Sequence, residues 1–124
     1  MSTLKVATIQ DTSGNNSSTP EQVAQGRAKA WLNLNGTGTI AIADDFNISS
    51  VTDIGSGRYR ATFTNSMSNA NYVVVGTSEY IENSGNQYQI ISIVSSTTTA
   101  VELGNQTLNN IQVDGLVYLA VFGD

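Results

Sequence analysis

The 124-residue chain contains no cysteine and no histidine. The first absence excludes a disulfide framework and a thiolate metal centre. The second removes the commonest general base and metal ligand. Charge is scarce as well: only 12% of residues are charged, five basic against ten acidic, for a formal net charge of −5. The basic side chains are dispersed, with Arg58 and Arg60 on one strand-like segment and Arg27 and Lys29 in another. Counterion release from phosphates needs a cluster of Lys and Arg, so nucleic acid is not expected as a partner. No apolar run approaches the roughly 20 residues that carry a helix across a bilayer, and no membrane partner is expected. The opening MSTLKVATIQ has neither a cationic n-region nor a long apolar h-region, so it does not read as a secretory signal, and synthesis and assembly in the cytoplasm are expected.

The same scarcity limits chemistry. A serine or threonine nucleophile would need Lys or a carboxylate as its base, and neither Lys5 nor Lys29 stands in a Ser-x-x-Lys context. Asp44 and Asp45 are adjacent. On a continuing strand they point to opposite faces and cannot hold one substrate together; the plainer reading is a solvated turn before Phe46. Asp44, Asp45, Asp53 and Asn47 could offer oxygens to Ca²⁺, but without EF-hand-like spacing. The glycines at 36 and 38, and at 55 and 57, are followed by strand patterns rather than helix, which makes them turns and not phosphate loops. Asn-x-Ser/Thr triplets begin at Asn15, Asn47 and Asn105 and, without a secretion signal, are expected by chance in such a chain. No catalytic residue, metal ligand or cofactor is assigned.

What the chain has in quantity is Ser, Thr and Asn, together 41 of its 124 residues. Such side chains suit strand faces, tight turns and contact with other polar protein surfaces. The pattern around them predicts an all-β fold, an antiparallel β-sandwich of jelly-roll type with eight or nine short strands, an N-terminal strand or arm and one short helix. Residues 1–18 form the arm and its connector, and 19–124 the sandwich domain. Leu4 to Gln10 alternates as a strand and is followed by eight polar or Gly residues from Asp11 to Ser18. It is either an edge strand of its own sheet or an arm docking on a neighbouring subunit or a particle surface, with Leu4, Val6 and Ile9 as the assembly contacts. Thr19-Pro20-Glu21-Gln22 is a helix start with Thr19 as N-cap and Gln22 at the capping-box position, and Gly26 ends a helix over about 20–25.

Downstream, a strand from about Ala28 meets a partner at Thr39 to Ala43 through a type I′ turn at Asn35-Gly36. Trp31 reads first as core and second as an anchor for an interface or sugar. Phe46 and Ile48 are expected on one face of a strand ending at Gly55-Ser56-Gly57. Tyr59, Ala61 and Phe63 alternate with polar neighbours as a half-buried strand. Tyr72 to Val75 is apolar on both parities and reads as a central strand. Strands follow at Gln87 to Val94, Thr97 to Leu103 and, more weakly, Leu108 to Asp114, with Gly104-Asn105-Gln106 as a turn. Leu116 to Phe122 closes the chain as a strand belonging to the core.

The words AKAWLNLNGTGT, DFNISSVTDIGSGRYRATFTNSMSNANYVVVG and VYLAVFGD resemble a recurring domain of tailed-bacteriophage virion proteins, of the kind found in cyanophage and other marine-phage tail fibres. The opening STLKVATIQDTSG is similar to the leader of such chains. The resemblance covers nearly the whole sequence and implies a non-enzymatic virion component, often a homotrimer, with other virion proteins as partners. It brings no catalytic or metal residue. Two roles are open under it. A tail-fibre or adhesin-like component would meet a host surface glycan through the Tyr80 to Tyr88 loop, by Tyr80, Asn83, Asn86 and Tyr88. A capsid decoration protein would instead stabilise the phage head. Fibre proteins carry shaft repeats, which this chain lacks.

Overall fold

The computed structural model describes residues 1–79 and 88–123. Among them the chain forms one helix, α1 (Pro20–Gly26), and then eight strands. These are β1 (Ala30–Asn35), β2 (Ala41–Phe46), β3 (Ile48–Gly55), β4 (Arg58–Phe63), β5 (Val73–Ser78), β6 (Gln89–Ser96), β7 (Ala100–Thr107) and β8 (Leu116–Phe122). They build two four-stranded antiparallel sheets, ordered β2-β1-β8-β5 and β3-β4-β7-β6. The chain is therefore the expected all-β sandwich. No helix among the described residues is long and apolar enough to cross a membrane.

Period-two alternation places the core between the sheets. Ala30, Leu32 and Leu34 of β1 and Val117, Leu119 and Val121 of β8 face Tyr59, Ala61 and Phe63 of β4 and Val101 and Leu103 of β7, all buried. Each fully buried Val or Leu contributes roughly 1.5–3 kcal/mol over its exposed state. Tyr72 closes one end: its ring meets Phe63 edge-on at 5.7 Å, and its hydroxyl donates to the carbonyls of Thr97 and Ala100.

The chain crosses between sheets at Asn47, in the left-handed region at φ 59°. Asn tolerates that conformation better than most residues. Its amide donates to the carbonyls of Lys29 and Asn65 and its oxygen accepts the Asn65 backbone N–H, so one side chain pins three segments at the corner. The corner corrects the expected sharing of a face by Phe46 and Ile48. Phe46 ends β2 in one sheet and is exposed, whereas Ile48 begins β3 in the other and is buried.

Other expectations are corrected by pairing. The helix has the expected start, with both capping-box bonds formed between Thr19 and Gln22. Leu4 to Gln10, however, forms no strand: among the described residues its only ladder contact is a bridge from Ile9 to Ser18, closed around Asp11, whose carboxylate accepts the N–H groups of Ser13 and Asn15. β1 and β2 do form a hairpin, but Asn35-Gly36 is not a type I′ turn, because the positive φ falls at Gly38 and the loop is longer. Gly36 is needed for a close approach instead, since a Cβ there would collide with the Tyr59 hydroxyl and lie 2.7 Å from the Gly115 carbonyl.

Tyr72 to Val75 leads into β5, which is an edge strand rather than a central one, and Val73 and Val75 are 60% and 58% exposed. Gly104-Asn105-Gln106 lies inside β7, held in register by β4 and β6 on either side, and the turn comes after it. Leu108 to Asp114 accordingly is that connection, with Asn110 at φ 61°, and not a strand.

Candidate assembly surfaces

The three residues read as assembly contacts stand outside the core. Leu4, at 85% exposure, Val6 and Ile9 project from a segment in which no side chain is buried. With Lys5 they meet Pro20 and Val23 of α1 along an open groove of about 450 Å³. α1 itself buries nothing. The first 27 residues thus hold an apolar cluster that lies outside the sandwich core.

A second apolar surface lies on the outer face of the β2-β1-β8-β5 sheet. Register aligns Phe46 with Trp31, Trp31 with Ala120 and Ala120 with Val75, one row across all four strands. Phe122 and Val73 sit side by side in the next row. Trp31 is therefore not a core residue: β1 turns Leu32 and Leu34 inward and Trp31 outward, where it is 36% exposed. Alternation groups Trp31 with Asn33 and Asn35, opposite Ala30, Leu32 and Leu34; the expectation of burial came from the usual burial of a large aromatic side chain. Strand pairing, which periodicity alone does not reveal, decides which face is covered.

The opposite outer face, on β4 and β7, is polar. Glu102 pairs with Arg58 and with Arg60, the latter at 3.1 Å, and the two guanidiniums, Arg60 first, hold its carboxyl below the usual range. Asp44 and Asp45 occupy β2, not a turn, opposite Asn33 and Leu32 respectively. Among the described residues no group of three or more acidic, histidine or cysteine side chains could hold a metal. Of the residues read as a receptor-facing loop, Tyr80, Asn83 and Asn86 lie outside the described residues, and Tyr88 is exposed just before β6.

The remaining polar cluster is internal and ties the loops at one end of the sandwich. The buried Tyr59 hydroxyl donates to the Gly36 carbonyl and to Asp114, each at 3.1 Å, and Asp114 also accepts the Gly57 N–H at 2.7 Å. Nearby, Asn105 donates from its amide to Gln89 and to the Val113 carbonyl. Burial, and then the neighbouring Asp114 carboxylate, push the Tyr59 hydroxyl well above the ordinary tyrosine value.

The sign of that shift sets a pH dependence. The native state keeps its proton where the unfolded chain, near pH 10, begins to lose it. Stability from Tyr59 is present below about pH 10 and is lost as pH rises toward the folded-state value. Tyr72, also raised by burial, acts in the same direction. Urea unfolding across pH 8 to 11 is expected to show a steep alkaline decline in the wild type. In Tyr59→Phe the decline is expected to be shallower by up to about 1.4 kcal/mol per pH unit, one proton's worth, on a neutral-pH stability lowered by about 1 kcal/mol. Identical alkaline slopes would show that Tyr59 does not carry the effect.

Fold and surfaces define an antiparallel eight-stranded β-sandwich with an unburied amino-terminal arm and one apolar outer sheet face. Comparison with protein-family models, with curated proteins and with solved structures gives no match. The likeness to phage virion domains consequently stands on its sequence words alone.

Proposed function

We propose that this chain is a structural component of a tailed-phage virion, a tail-fibre or adhesin-like subunit that assembles as a homotrimer with other virion proteins and serves attachment to the host. The observation that carries the reading is the arm: Leu4, Val6 and Ile9 are apolar, exposed and free of any role in the sandwich core, as expected of a segment whose partner is another subunit. A body rich in Ser, Thr and Asn and poor in charge suits contact with protein or glycan surfaces. Capsid decoration is the second reading, favoured by the same arm beside a compact sandwich, since a lattice-bound cement protein needs a docking segment and a folded domain.

Gold-labelled antibody imaging of intact particles tests both. Label at the tail is the expected result. Label over the head would move the assignment to decoration, and particles without label would overturn a virion role.

A further inference from the structure

The arm needs an acceptor, and the sandwich offers one edge suited to it. Among the described residues β2 pairs only with β1, so along Ala41–Phe46 no described strand lies on its far side. The other edge of that sheet, β5, lies against β6 and is less open. An open edge is a template for an added strand. The arm has strand alternation, with Leu4, Val6 and Thr8 on one side and Lys5, Ala7 and Ile9 on the other, and no ladder of its own beyond the Ile9–Ser18 bridge.

Charge selects the same edge. Residues 1–10 carry one of the chain's five basic side chains, Lys5, and none of its ten acidic ones. β2 carries Asp44 and Asp45, which its alternation turns to opposite faces. Lys5 therefore meets a carboxylate whichever way the arm lies. Apolar matching chooses between the two faces: with Leu4 and Val6 outward, they extend the row of Phe46, Trp31, Ala120 and Val75 by one strand, and Lys5 falls beside Asp45. Phe46, 52% exposed at the end of that row, gains a neighbour on its open side.

We infer that the Leu4 to Ile9 arm of one copy adds a fifth strand beside β2 of a second copy, setting Lys5 beside Asp45 and covering Phe46. This deepens the reading of the chain as a self-assembling component, on which it rests. In its own chain the arm lies elsewhere, against Pro20 and Val23, so the acceptor belongs to a neighbour. Each copy gives one arm and receives one, and such head-to-tail exchange closes into a ring if the rotation allows, as a trimer does.

The absence of cysteine makes the test clean. Chains bearing Leu4→Cys or Val6→Cys are mixed with chains bearing Phe46→Cys and mildly oxidised; Leu4 reports an antiparallel arm and Val6 a parallel one. Disulfide-linked pairs between the two chain types are expected from one mixture. Linkage found only within a single chain carrying both substitutions would place the arm on its own β2 and overturn the exchange. Linkage in neither arrangement, or a light-scattering mass of 13.1 kDa at micromolar concentration, would also overturn it.

Charge reversal supplies a second measurement that does not depend on register. Lys5→Glu is expected to weaken association about tenfold, and combination with Asp44→Lys and Asp45→Lys to restore most of it. Lys5 lies outside the core, so its reversal leaves the sandwich intact. If the combined variant stays as weak as Lys5→Glu alone, the pairing is wrong. Particle labelling reads the virion role separately: arm exchange without label fails that role only, and label without exchange fails this inference only.

Discussion

Gly57→Ala is expected to lower the stability of the sandwich by about 3 kcal/mol or more, from two costs that fall on one atom. Gly57 has φ 62°, where any Cβ is strained, and the added methyl would collide with the Asn105 carbonyl and lie 2.7 Å from the N–H and carbonyl of Val113. All of those are backbone atoms fixed by β7 and by the connection to β8, so nothing flexible can give way. The shift would also pull the Gly57 N–H from Asp114, which in turn positions the Tyr59 hydroxyl. Against a typical domain stability of about 5–15 kcal/mol this is a large fraction. Gly38→Ala is the control, because Gly38 has nearly the same φ, 63°, with nothing near its would-be Cβ. It should show only the backbone cost of about 1–2 kcal/mol. Urea midpoints for the two variants decide the matter, and equal losses would mean that the close approach at Gly57 is not what requires glycine.

These two glycines also show what a sequence can and cannot disclose. Gly55-Ser56-Gly57 was legible as a hairpin turn because turn chemistry is local, and so was the capping box at Thr19, whose partners lie within three residues. The burial of Tyr59, Ala61 and Phe63 followed from alternation alone. What remained hidden depends on pairing at long range. Gly36 looked like a hairpin glycine, but its constraint is a tyrosine 23 residues away. Gly104-Asn105-Gln106 looked like a turn and became strand because β4 and β6 flank it. Tyr72 to Val75 looked central because both parities are apolar, and a single sequence cannot say whether the second apolar face is covered by a layer of this chain or left open.

The candidate surfaces divide in the same way. Leu4, Val6 and Ile9 were visible because an alternating apolar segment was cut off by polar residues, a feature within twenty residues. The row of Phe46, Trp31, Ala120 and Val75 was not, since it exists only once three strand registers are set. Its members are separated in sequence by between 15 and 89 positions, and none belongs to a motif.

Deleting residues 116–124 is expected to abolish cooperative folding, whereas deleting residues 1–18 is expected to leave the thermal midpoint within about 3 °C, on the usual scale of 4–8 °C per kcal/mol for small domains. β8 lies between β1 and β5, and among the described residues β5 pairs with no other strand. Without β8, one sheet is reduced to the β1–β2 ribbon, and two-stranded ribbons are at best marginal in water. The core loses Val117, Leu119 and Val121 together, three buried side chains each contributing roughly 1.5–3 kcal/mol, and Leu32, Leu34 and Tyr59 lose their cover. The arm, by contrast, buries no side chain, so its removal withdraws nothing from the core. Because β8 pairs with β1 across more than eighty residues of chain, the sheet cannot close until its last strand is present, which is the topology of a slow, late-closing fold. Thermal melts followed by circular dichroism distinguish the two truncations. A sharp transition surviving the loss of β8 would mean that the core is not organised around that strand, and a collapse on losing residues 1–18 would mean that the sandwich depends on an arm, its own or a neighbour's.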